Sequence, residues 1–516
     1  MTDSSHHDED VKVLHSMGYS QELSRRMGGF QNFAISFSII CILAGGIGTY
    51  SVGFGAAGGG SIGIGWIIGS VFALLVAAAM GQIASAYPTA GGLYHWGSIL
   101  GGKGWGWATA WINVIGLLFV VSSVNYGVYL LLRDLVLVGA FGMDLAIFTT
   151  THLIITVAII TFSQAVLNYV GIKATTILTD FSGYLILAVS IVLIVGLIVA
   201  SPVALDFSRL VTFTNNTGDP GAKTWPATPS LFFAFVLGLM HVWYTITGFD
   251  ASAHTAEETR DAQRAVPRGM LTAVFWSAAF GWLLVVAVLV AMPDMTEGAK
   301  QGTSVFSYVL FSSGMPHWLK ALLAIGIVLA NYLCALAGMT SLSRMLYAFA
   351  RDGGIPGASR FLRRVHPKHR TPGAAIWVGA LFCFVLGLVC GAGPNAYIVL
   401  ASGCAVFLYV SYIMPIAAGI LAEGKRWTKK GPFDLGVWSR PIGVLAALGG
   451  IVLVFVGFQP PNDLVGTFLA GTVVVLAVVW FAFERKRFPG PPLSEADVAR
   501  RQAEIAAEEA ALGGAG

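Results

Sequence analysis

Charge is what this sequence has least of. Asp, Glu, Lys and Arg make up 11% of its 516 residues, where a soluble domain carries about 25%. With 56% hydrophobic residues and a mean hydropathy of +0.75, too little polar surface remains to clothe a water-soluble fold of this length. Cysteine is scarce as well. Cys41, Cys334, Cys383, Cys390 and Cys404 each lie in an apolar run, with no CxxC pair and no histidine at ligand spacing. That pattern argues against a disulfide framework or a metal site and leaves small buried thiols. No GxxxxGK[ST] loop is present, which speaks against ATP as the energy source. The net charge of +4 is not gathered into a basic stripe with interleaved aromatics, so nucleic acid is not an expected partner. Residues 1–27 hold no apolar stretch of signal-peptide type, and His6-His7-Asp8-Glu9-Asp10 predicts a disordered cytosolic tail.

What the chain does have is long apolar runs. A bilayer core of about 30 Å takes about 20 apolar helical residues. Twelve runs meet that need, near 30–55, 62–86, 104–132, 146–166, 171–200, 230–255, 268–292, 317–350, 372–391, 395–421, 439–458 and 463–483. The fold class predicted is an all-α membrane protein with twelve spans. Lys and Arg set the orientation. With the N-terminus inside, Arg133, Arg209, Lys223, Lys300 and Lys320 fall outside and the other 25 of the 30 fall inside. Both termini are therefore expected in the cytosol, at the cell (inner) membrane. Past Phe483, Glu484-Arg485-Lys486-Arg487 opens a C-terminal tail with a weak surface-helix signal from Ser494.

Two of the runs are weakened in the middle. The first reads Ala44-Gly45-Gly46-Ile47-Gly48, and each helix-interior glycine costs about 1 kcal/mol. Unpaired backbone at membrane depth is tolerated only inside protein or beside a wet cavity. The sixth reads His241-Val242-Trp243-Tyr244-Thr245-Ile246-Thr247-Gly248-Phe249-Asp250, and a mid-span Asp costs about 2.5–3.5 kcal/mol to insert. Weak points five spans apart fit two inverted five-helix repeats with a ligand site between broken helices. Helix N-termini would suit an anion there, while carbonyl ends and Asp250 would suit a cation. The plainer readings are packing glycines and a structural acid.

Four segments resemble the amino acid–polyamine–organocation (APC) transporters, in the branch of amino acid, GABA and choline permeases. They are Gly18-Tyr19-Ser20-Gln21-Glu22-Leu23 with Asn32 to Ile40, Tyr87-Pro88-Thr89-Ala90-Gly91-Gly92-Leu93-Tyr94, Thr247 to Thr259 with Pro267-Arg268-Gly269, and Ser343 to Pro356. The resemblance covers about residues 18–484. It implies a LeuT-type 5+5 inverted repeat with discontinuous helices 1 and 6 over 28–422, spans eleven and twelve outside it over 423–484, and tails at 1–27 and 485–516.

The resemblance also implies roles. Ala44, Gly45 and Gly46 match the family's unwound, carboxylate-binding segment, although its usual polar residue is replaced here by Ala44. Tyr244, Thr247, Gly248 and Asp250 match the pocket-lining stretch of the sixth helix. Asn113, Asn331, Cys334 and Ser402 match more loosely. Glu257 and Glu258 are expected near the cytosolic face, paired with Arg344 or Arg351 as an inner gate. Asp250 is expected to bind the substrate, pairing with its ammonium, with carriage of a driving proton as the alternative. The fifth span lacks an internal lysine, with Lys173 at its mouth, so the coupling ion, H+ or Na+, stays open. Neither a cofactor nor a metal is expected.

The function expected is secondary active import of an amino acid or related small amine across a lipid bilayer, with choline, GABA and polyamine carriers as alternatives. The oligomeric state is left open. A channel would show a filter of repeated carbonyls or charged rings. A membrane enzyme would show paired carboxylates or clustered histidines, whereas His241 and His254 are 13 residues apart.

Overall fold

In the computed structural model the chain is described over residues 3–221, 224–391, 396–428, 430–492, 496–501 and 505. Lys223 and Lys429 fall outside the described residues, as does the side chain of Lys173. Helices form throughout because long apolar runs satisfy their backbone groups internally. After α1 (Asp3–Ser16), the first span is split into α2 (Gly29–Ile40) and α3 (Ile42–Gly48), with α4 (Tyr50–Ala57) beyond it. Then come α5 (Trp66–Ala86), a short α6 (Leu93–Gly101), α7 (Lys103–Leu131), α8 (Thr150–Val170) and α9 (Ile172–Val199). The sixth run breaks into α10 (Leu231–Gly238), α11 (Met240–Thr245) and α12 (Ala251–His254), and α13 (Ala262–Val290) follows. Short helices α14 (Met295–Lys300) and α15 (Val305–Ser312) lead to α16 (His317–Arg351), α17 (Ser359–Leu362), α18 (Gly373–Gly391) and α19 (Ala396–Ala422). Then come α20 (Ser439–Gly457) and α21 (Asp463–Val479), with helical residues continuing to Arg487.

Among the described residues ten helical segments are long and apolar enough to cross a membrane. Two shorter apolar helices, Leu231–Thr245 and Gly373–Val389, stand where the sixth and ninth spans were predicted. At the centre, α7 packs on α16 and α19, and α13 packs on α2 and α5. The first span is the most enclosed, with 83% of its apolar window buried, against 22% for the last. Val478, Phe481 and Phe483 of that last segment are exposed, as a lipid-facing surface requires. Over the far end lie residues 201–221 and 224–229, where Trp225 Nε1 donates to Val52 O at 2.8 Å and Asn216 Nδ2 to Phe54 O at 2.9 Å.

The termini differ from the expected free tails. Asp10 accepts from the N–H groups of Asp261 and Ala262 at 2.8 and 3.1 Å. Leu14, Tyr19, Leu23 and Met27 are buried. From the other terminus, Arg501 lies 3.6 Å from Asp352 and Ile505 is buried. Polar composition hid this because the partners are side chains and backbone groups more than 100 residues away.

Candidate functional site

The first span breaks at Cys41, with φ 20° and ψ 87°, three residues before the predicted point. Ala44, Gly45 and Gly46 lie inside α3 instead. The glycines serve close approach: a Cβ on Gly45 would sit 2.5 Å from Thr245 Cα, and one on Gly48 would run into the Tyr397 hydroxyl. Gly46 faces Val285 and Trp66 with ordinary room for a methyl group.

The sixth helix unwinds from Ile246 to Asp250, turning at Gly248 with φ +84°, a conformation that favours glycine. Its freed backbone groups are caught by neighbours. Tyr409 donates to Ile246 O at 2.6 Å, Gly248 N donates to the Tyr412 hydroxyl at 3.1 Å, and Ser36 donates to Phe249 O at 2.8 Å. Two tyrosines of α19 and a serine of α2 thus supply the hydrogen bonds that water cannot supply here.

Between the two breaks lies a cavity of about 10 Å³, room for about one water. Ile39, Ile40, Ala44 and Gly45 form one wall and Tyr244 and Thr247 another; Val120 and Val124 of α7 close it with Cys334 and Cys404. Among the described residues, no carboxylate or ammonium group lines it. A second cavity of about 30 Å³ lies on the far side, lined in part by Gly48, Gly127, Asp134 and Tyr397. Tyr244 and Tyr397 stand edge to face between the two, with centroids 6.4 Å apart.

The predicted site residues divide into those on the wall and those behind it. Ala44, Gly45, Tyr244 and Thr247 are brought together on the cavity wall. Asp250 is fully buried one layer away. It accepts from Tyr412 OH at 2.8 Å and Asn113 Nδ2 at 3.1 Å, with His254 Nε2 at 3.1 Å. Asn113 also donates to Ser411 at 3.1 Å. Asn331 reaches the carbonyl of Ile327 at 2.8 Å and that of Leu43 at 3.4 Å. Ser402 donates to Asn462 at 2.6 Å, toward the outer helices. Cys404, two residues on, is the α19 side chain that reaches the cavity. In sequence it reads as one more apolar position.

At the end of the bundle where the N-terminal segment packs, four predicted gate residues meet. Arg344 donates from Nε and Nη2 to Glu258 at 3.0 and 3.1 Å, and Arg351 from Nη1 and Nη2 to Glu257 at 3.0 and 2.9 Å. Both carboxylates are fully buried, and such forked pairs are the strongest kind. The N-terminal segment braces them. Arg25 donates to Thr259 O at 2.5 Å, Gln21 to Glu257 O at 2.9 Å, and Arg351 lies 4.0 Å over the Tyr19 ring. Tyr19 and Tyr94 both donate to Asp352, at 2.8 and 2.9 Å. Burial raises the Asp352 carboxyl pKa against the pull of Arg351 and Arg501. Tyr19, Gln21 and Arg25 lay in or beside a quoted motif, so a signal for them existed.

A family model described as amino acid permease matches residues 27–483, which include both broken helices and the gate. The chain belongs to the amino acid permease family. It is therefore an APC superfamily transporter and not an enzyme. This permease is 31% identical to the amino-acid permease BAT1 of Arabidopsis thaliana, over 93% of this chain and 95% of the relative. It is 28% identical to a GABA-specific permease of Saccharomyces cerevisiae, over 95% of this chain and 86% of that one.

Proposed function

We propose that this permease imports a small amino acid or ω-amino acid by alternating access across a cell (inner) membrane, with both termini in the cytosol. The observation that carries the reading is the pairing of the two helix breaks across one cavity. The wall there is apolar apart from Tyr244, Thr247 and the backbone. Backbone groups of the unwound segments would meet the carboxylate and ammonium of a zwitterion, and Ile40, Val120 and Cys404 would suit a small, uncharged side chain. Choline or a polyamine, a cation without a carboxylate, would want an acid on the wall, and Asp250 is engaged elsewhere in this conformation.

What supports alternating access is a pair of closures of unequal thickness. Buried ion pairs hold one end together, and Tyr244 and Tyr397 stand toward the other. The inverted five-helix repeat supplies the symmetry for exchanging them. Two forked pairs must separate to open the first end, so substrate binding would have to supply that free energy. The second end would ask less, since two uncharged tyrosines meet there.

For coupling, the reading is a proton held by Asp250 and His254. A carboxylate and an imidazole 3.1 Å apart and both fully buried can share one proton next to the substrate segment. The decisive test is counterflow of labelled amino acids, GABA, choline and polyamines in proteoliposomes, with thermal shift on purified protein. A ligand at 100 times its Kd stabilises by about 2.7 kcal/mol. Saturable exchange of choline or polyamine alone would overturn the assignment.

A further inference from the structure

Away from the central cavity lies a groove of about 820 Å³ between α2, the start of α13 and the 432–433 turn. Arg260, Arg264 and Arg268 line it. Arg264 and Arg268, four apart, share one face of the first turns of α13, and Arg260 lies just before the helix. Arg268 is exposed, and Arg264 is 65% exposed with only a 3.5 Å contact to Asp261. The apolar part of the lining is Phe30 and Phe33 of α2, Leu271 of α13, and Phe433.

That apolar wall runs on into the membrane-facing surface. Phe30 is 44% exposed and stacks at 5.6 Å on Tyr184, itself exposed on α9. Phe275 and Trp276 continue the exposed surface one turn further along α13. Charge thus lies where α13 begins, and aromatic surface lies toward the bilayer. A free phosphate would need only the first. A phospholipid would use both, with its phosphate on the arginines and an acyl chain along Phe30, Phe33 and Leu271.

We propose that this groove is a binding site for an anionic phospholipid. Its occupant would touch the half-helix that holds the gate. On another face of α2, Asn32 donates to Ser252 O at 2.9 Å and to Thr259 at 3.0 Å, next to Glu257 and Glu258. Lipid in the groove would therefore bear on the element that must move when that end opens.

The test uses the full chain, delipidated in detergent and titrated with phosphatidylglycerol, with phosphatidylcholine of the same chains, and with inorganic phosphate. Binding is read by native mass spectrometry and melting temperature. Phosphatidylglycerol should bind saturably and raise the melting temperature, while the other two should do neither. The double substitution Arg264→Gln/Arg268→Gln should weaken phosphatidylglycerol about tenfold or more, and Arg264→Lys/Arg268→Lys should restore most of it. Both arginines are exposed, so the lipid-free melting temperature should not change. Equal binding of the two lipids, an undiminished affinity in the Gln variant, or the same stabilisation by phosphate alone would each overturn the proposal.

Discussion

Tyr412 donates its hydroxyl to Asp250 at 2.8 Å, so the acid at the centre of the sixth helix is satisfied from α19 rather than presented to the cavity. Asn113 and His254 complete its shell at 3.1 Å each. If the carboxylate serves the driving proton, Asp250→Asn and His254→Gln should each leave substrate affinity within about threefold. Counterflow should persist while pH-driven accumulation vanishes. A loss of affinity worth about 2–5 kcal/mol, typical of a broken buried charge pair, would put the substrate ammonium on Asp250 instead. If affinity and accumulation are both unchanged, the acid is structural.

The glycines of α3 are not interchangeable. Adding a methyl group at Gly45 drives it to 2.5 Å from Thr245 Cα, whereas at Gly46 the nearest atom is Val285 Cγ1 at 3.6 Å. Gly45→Ala should force α3 away from α11 and cost about 1–3 kcal/mol, as overpacked cores do, with transport lost. Gly46→Ala should melt and transport like the parent. Fluorescence-detected thermal unfolding of both, alongside uptake, checks this; matching behaviour would mean that the α3–α11 contact does not limit function.

At the gate, breaking a buried pair is more harmful than removing it. Arg344→Met should leave Glu258 uncompensated and cost about 3–5 kcal/mol. The double variant Arg344→Met/Glu258→Gln should recover a large part of that loss. In proteoliposomes the double variant should change transport rate with substrate affinity held, because the pair lies outside the cavity wall. An effect on affinity alone would remove these residues from gating.

Most helices were legible because a run of about 20 apolar residues has few other fates. The sixth-helix break was legible too, since Gly248 and Asp250 are hard to place in a continuous membrane helix. The first break was displaced to Cys41 because glycine signals both weak helix and close contact, and only the neighbour, Thr245, tells which. The reach of Cys404 and the turning away of Ser402 depend on rotation of α19 about its axis, and a helix hydrophobic all round carries no period to fix that. The polar N-terminal segment looked free because its partners, Asp352, Ala262 and Thr259, are remote in sequence.

His95 provides the pH test. It sits in α6, outside the predicted spans, fully buried with Nδ1 2.9 Å from the Thr89 hydroxyl. Burial, assisted by the positive charge of Arg351, lowers its pKa from 6.5 to about 3. The folded protein thus keeps His95 neutral in a range where the unfolded chain protonates it. Its contribution is fully present above pH 6.5 and is lost as pH falls toward 3, because the unfolded state binds the extra proton. The slope is about 1.4 kcal/mol per pH unit, so about 2 kcal/mol should go between pH 6.5 and 5. His95→Gln should flatten that limb in thermal unfolding measured from pH 7.5 to 5, so that the variant's melting temperature falls less than the parent's over that range. A parent and variant whose melting temperatures fall in parallel would mean that His95 is already charged in the folded permease, or that water reaches it.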